Sequence, residues 1–126
     1  MPIQNELKLN VAFMDELHHE FEEILDEMKN CKDNPKFMQL FFKMIEHTKN
    51  HFKTEEELMT KYDFYDKQEH LNEHESLLSE MIYFYEKAQK IPLFGKSYIN
   101  EYAYDKFRRH ILNIDSQLAM FLKENQ

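Results

Sequence analysis

Between residues 35 and 62 the chain repeats one spacing. Phe37, Phe41, Met44, Thr48, His51, Glu55, Leu58 and Tyr62 follow one another in alternating steps of four and three. That is the seam of a helix packed in a bundle, because 3.6 residues per turn brings such positions onto one face. Similar stripes occur three more times. Met14, Leu17, Phe21, Ile24, Leu25 and Met28 form one within a helix expected from about Asn10 to Asn30. His70, His74, Leu77, Met81, Tyr85 and Ala88 form another, from about Asp66 to Gln89. Ile99, Ala103, Phe107, His110, Ile114, Leu118 and Phe121 form the last, in a helix capped by Ser97 and running to about Lys123. Three breaks separate them: 31–35, where Asn34 and Pro35 read as an N-cap and a first helical residue; 63–66; and 90–96, punctuated by Pro92 and Gly95. One glycine in 126 residues is too few for a turn-rich β fold. The expectation is all-α: a single domain, 1–126, folded as an antiparallel up-down-up-down four-helix bundle with short connections.

Composition narrows the function. A net charge of -8 argues against nucleic acid, whose phosphates need a basic patch. No apolar stretch is long enough to span a membrane. The start, MPIQNELKLNVAF, does not read as a signal peptide. Cys31 is the sole cysteine, so neither an intrachain disulfide nor a cysteine-based zinc site is available, and a reducing cytoplasm is the expected compartment.

Five histidines lie on the seams: His18, His51, His70, His74 and His110. Their heights can be compared, since residues level with each other on antiparallel helices are equidistant from the turn between them. The midpoint of His18 and His51 lies between Asn34 and Pro35. That of Glu55 and His70 lies between Tyr62 and Asp63, and that of His74 and His110 is Pro92. All three fall in the breaks, so the five imidazoles and Glu55 share one slab, within about a turn or ~5 Å. Burying them there is costly unless something satisfies them, and a metal does. Asp115 follows His110 by five residues. An ideal α-helix would set the two about 140° apart, so both face inward only if they flank the seam or the helix widens into a π-bulge.

Five imidazoles and two carboxylates exceed what one zinc takes; they suit two metals with bridging carboxylates, and mixed ligation of this kind is appropriate for iron. The Glu-x-x-His repeat of ferritin-like sites occurs only at Glu16 and His19, without a second copy, and the His-Glu-x-x-His of zincins is absent. His19 is expected at the surface or boundary, His47 as a packed or hydrogen-bonding neighbour of the site, and Glu56 and Glu57 on a solvated face.

The motifs resemble those of the hemerythrin family. Asp15-Glu16-Leu17-His18 is similar to its D-x-x-H and His51-Phe52-Lys53-Thr54-Glu55-Glu56 to its HFxxEE. His70 to His74 is similar to its HxxxH, and His110 to Asp115 to its HxxxxD. The resemblance covers nearly the whole chain. It implies two non-haem iron ions: one held by His70, His74 and His110, the other by His18 and His51. Glu55, Asp115 and a solvent-derived oxo or hydroxo group would bridge them. It further implies dioxygen as the ligand, bound reversibly at the second iron in an apolar, dry pocket, for storage, delivery or sensing rather than catalysis. The alternative is a di-iron enzyme acting on nitric oxide, peroxide or ferrous iron. The chain departs from the family pattern in lacking tryptophan; Lys106 stands one turn before His110, where relatives carry one.

Overall fold

The structure, a computed structural model, describes residues 8–124. Most of the segment read for a signal peptide, and the extreme ends of the expected domain, lie outside them. Four helices form the bundle: α1 (Ala12–Lys29), α2 (Asn34–Lys61), α3 (Lys67–Lys90) and a fourth continuous run, α4, over residues 92–124. Each helix packs on the next in sequence, and α4 closes the ring against α1. The described residues contain no strand and no helix long and apolar enough to cross a membrane.

The helix ends follow local chemistry. Before α1, Asn10 adopts a left-handed φ of 61°, and the Asp15 carboxylate accepts hydrogen bonds from the backbone N–H groups of Leu9 (2.8 Å) and Asn10 (2.9 Å). After α2, Asp63 turns left-handed at φ 54°. The Asp63 and Phe64 N–H groups then return to the Thr60 and Met59 carbonyls, a Schellman closure that sends Phe64 into the core. α2 begins one residue before the expected Pro35, with Asp33 rather than Asn34 as its N-cap.

The expected start of the fourth helix, capped by Ser97, is corrected. The α3–α4 connection reduces to Ile91, and Pro92 occupies the first helical position. Gly95 sits inside the helix because α3 and α4 pack closely there. A Cβ at Gly95 would come within 2.6 Å of the Ala88 Cβ and 3.2 Å of the Phe37 ring.

The run α4 is α-helical at Pro92–Ser97, Tyr104–His110 and Ser116–Glu124, and π-helical at Tyr98–Ala103 and Ile111–Asp115. The second π segment corrects the inner face beyond His110. The extra residue in the turn rotates the helix, so Ile111, Asp115, Leu118, Ala119 and Leu122 are buried, whereas Ile114 and Phe121 are only half-buried.

Two apolar clusters fill the interior. The larger, including Phe21, Leu25, Phe37, Phe41, Met44, Met81, Ile99 and Phe107, occupies the half near the α1–α2 and α3–α4 connections. The smaller, with Val11, Met14, Met59, Phe64, Leu118 and Leu122, fills the other. Burial of each such large side chain contributes about 1.5–3 kcal/mol. The seam histidines stand between the two clusters.

Candidate metal centre

All five seam histidines, with Glu55 and Asp115, are buried, each at 3% exposure or less. Their heights agree as the midpoints required. The donor atoms fall into two overlapping groups, each gathered within 4.8 Å: Glu55, His70, His74, His110 and Asp115; and His18, His51, Glu55 and Asp115.

The two carboxylates divide their oxygens between these groups. Glu55 Oε1 faces His70 Nε2 (3.0 Å) and His74 Nε2 (3.1 Å), while Oε2 faces His51 Nε2 (2.7 Å). Asp115 Oδ1 faces His110 Nε2 (3.0 Å) and His70 Nε2 (3.3 Å), while Oδ2 faces His18 Nε2 (2.8 Å). One oxygen of each serves the three-histidine group and the other serves the two-histidine group. The π segment Ile111–Asp115 makes this possible by swinging Asp115 onto the face that carries His110.

This donor set fits bound cations. Metal–ligand bonds of about 2.1 Å meeting at right angles place neighbouring donors ~3.0 Å apart, close to the separations found. Buried atoms also lack hydrogen-bond partners: Asp115 Oδ1 and His110 Nε2 face each other without hydrogen-bond geometry. A cation between such atoms satisfies both.

Without metal, protons take the cations' place. Burial by itself would lower the histidine pKa values, but the carboxylates outweigh it. Asp115 and Glu55 push His70 up to about 9, and Asp115 with Glu73 pushes His110 up to about 10. His51 is likewise raised, against burial, by Glu55. Burial acts to raise Glu55 and Asp115, yet the surrounding imidazoles hold both carboxyls well below their ordinary range. The cluster is arranged for positive charge, and binding a metal there releases protons.

Beyond the donors, the surroundings of the two groups differ. The His74 ring lies flat on Phe52, with centroids 3.7 Å apart and planes 2° apart, and its Nδ1 meets the Glu56 carboxylate at 3.0 Å. His110 Nδ1 has Glu73 at 3.8 Å. The expected solvated face for Glu56 is thereby corrected: it is half-buried and orients a site histidine. A signal for it existed, because the midpoint of Glu56 and His74 is Tyr65, inside the α2–α3 connection, as the midpoint of Glu73 and His110 falls between Ile91 and Pro92, at the edge of the next. Glu57 is exposed, as expected. His19 pairs with Glu23 at the boundary. His47 stays outside both donor groups, 3.6 Å from Glu20 and with its ring centroid 6.3 Å from that of His51; burial lowers its pKa.

A cavity of ≈ 30 Å³ adjoins the cluster, walled by apolar side chains such as Phe21, Phe52, Met81 and Phe107 and reaching His51 and His110. It has room for a diatomic molecule or one or two waters.

Residues 9–122 match the family described as hemerythrin HHE cation binding domain. A curated relative, bacteriohemerythrin of Aquifex aeolicus (strain VF5), is 28% identical over 120 residues, covering 91% of this chain and 92% of the relative. No solved structure is a significant match.

Proposed function

The chain belongs to the hemerythrin family of cation-binding domains, and from that premise we propose that it binds dioxygen reversibly at a pair of non-haem iron ions. His70, His74 and His110 would hold one ion, His18 and His51 the other, with Glu55 and Asp115 bridging. The observation that carries this reading is the division of each carboxylate's two oxygens between the two histidine groups. Bound iron would supply the two electrons that reversible capture of dioxygen requires.

The protein's own part is to orient and to exclude. Glu56 and Phe52 fix the plane of the His74 ring, so its Nε2 points inward. The two-histidine group offers four protein residues where the other offers five, which leaves a place for an outside ligand on the His18 and His51 side. Phe107 stands edge-on to His18 at 5.8 Å, and Phe21 stacks on Phe107 at 4.4 Å. This apolar wall limits the water that could protonate a bound ligand. The reading takes the chain as one domain over 1–126 acting in the cytoplasm, where its lone thiol, Cys31, stays reduced.

The test is metal analysis joined to absorption spectra of the iron-loaded protein, with and without oxygen. About two irons per chain and a band that appears with oxygen and bleaches on degassing are expected. Irreversible oxidation with no oxygenated species would sink the reading. Sustained turnover of nitric oxide or peroxide with an electron donor would move it to the enzyme alternative.

A further inference from the structure

Of the residues lining the cavity beside His51 and His110, all are buried except Leu77 and Lys106. The mouth therefore lies where these two stand, between α3 and α4. Lys106 does not extend freely into solvent there. Its Nζ bonds Glu80 Oε2 at 2.6 Å, tying α4 to α3 across the opening, with the two side chains 41% and 29% exposed. The lysine stem can cover apolar wall while its ammonium reaches the rim.

We propose that the Lys106–Glu80 ion pair is the door through which small molecules reach the two-histidine side of the centre, and that Glu80 keeps this door electrically neutral. The inference rests on the proposed function only in where the cavity leads. Three observations support it: the buried floor is made of site histidines, the walls are apolar, and the partly exposed rim carries a cross-helix pair that must shift for the mouth to widen. A partly exposed pair of this kind contributes little stability, so it opens readily. A lone ammonium at the rim would draw small anions towards the cavity. Glu80 cancels that attraction, so the pair favours neutral diatomic molecules over anions.

The experiment compares association rates of nitric oxide, a neutral ligand, and azide, an anion, with the iron-loaded protein at low ionic strength. Xenon exchange with the cavity, followed by xenon NMR, gives a readout that needs no bond to iron. Lys106→Ala removes the stem and the pair; it should speed nitric oxide, azide and xenon alike, by about three- to tenfold. Glu80→Gln weakens the tie and frees the ammonium; it should speed xenon and nitric oxide about two- to threefold and azide on the order of tenfold, the extra gain for azide erased by salt. Lys106→Met keeps the stem but removes the tie and leaves Glu80 unpaired; it should speed xenon and nitric oxide about two- to threefold while slowing azide relative to them, a difference erased by salt. Iron content and melting temperature check that each variant is folded. Rates unchanged in all three variants, with normal oxygenation, would overturn the door and leave the proposed function standing. Xenon exchange that responds as expected in protein that never binds oxygen or azide would support the door and remove the proposed function.

Discussion

The two halves of the candidate centre are built to different standards of closure. On the three-histidine side, His74 is clamped by Phe52 and Glu56, His110 has Glu73 beside it, and five residues converge. On the two-histidine side, four residues converge and neither imidazole Nδ1 meets a carboxylate as His74 Nδ1 does; the Nδ1 atoms of His18, His70 and His110 alike have no hydrogen-bond partner. The cavity touches His51 on this side and His110 on the other. Both halves share the same two carboxylates, so their difference lies in the outer contacts rather than in the bridge. On the proposed function, a centre that held one ion tightly and left room at the other could bind a small molecule without losing its metals.

Breaking the bridge should have the largest effect, because it abolishes the distinction between halves. Asp115→Ala or Glu55→Ala should lose both ions and, in the metal-free state, cost about 3–5 kcal/mol, since several buried imidazoles lose their counter-charge. Metal analysis and denaturant unfolding check this; a variant that keeps a full metal complement would refute bridging. Next, His51→Ala should remove one ion and the oxygen band while the other ion stays. Two irons and normal oxygenation in that variant would count against the assignment. Glu56→Ala should act on the closed half only, weakening the more tightly held ion by roughly 10–100-fold as the His74 ring loses its anchor. Competitive chelation measures it, and equal weakening of both ions would show that Glu56 does not discriminate between the halves.

The last expected effect, spread over a range of pH rather than confined to one variant, is in stability. In the metal-free protein His70 is pushed up to about 9 and His110 to about 10, both on the closed half. A folded-state pKa above the unfolded value contributes stability that is complete below the unfolded pKa, about 6.5 for histidine, and disappears as pH rises through the folded values. The metal-free protein should therefore melt at a clearly lower temperature at pH 10 than at pH 7. The loaded protein, whose imidazoles have already given up those protons, should lose less. A flat calorimetric profile for the metal-free protein over that range would contradict this balance of charge among the buried imidazoles and carboxylates.

Most of the fold is legible in the residues, and so is the height of the site. Seam spacing locates four helices, and the midpoints level His18, His51, Glu55, His70, His74 and His110 without any coordinate. The misplacements have local physical causes. Gly95 resembles a breaker in sequence, yet inside the bundle it is the residue that lets α4 approach Ala88. Ile114 holds the inward slot by 3.6-residue counting, but the π segment rotates Asp115 into it. Glu56 reads as solvated because its role depends on which neighbouring helix covers that flank of α2.

The residues alone determine periodic and relative properties: which positions share a face, and which faces meet at a common height. These depend on helical geometry, which is nearly independent of context. The widened turn at Ile111–Asp115, the sorting of carboxylate oxygens between two histidine groups, and the pairing of Lys106 with Glu80 arise only after four helices have packed. Each depends on displacements of an ångström or two between side chains far apart in the chain, and such displacements are set by the whole core together.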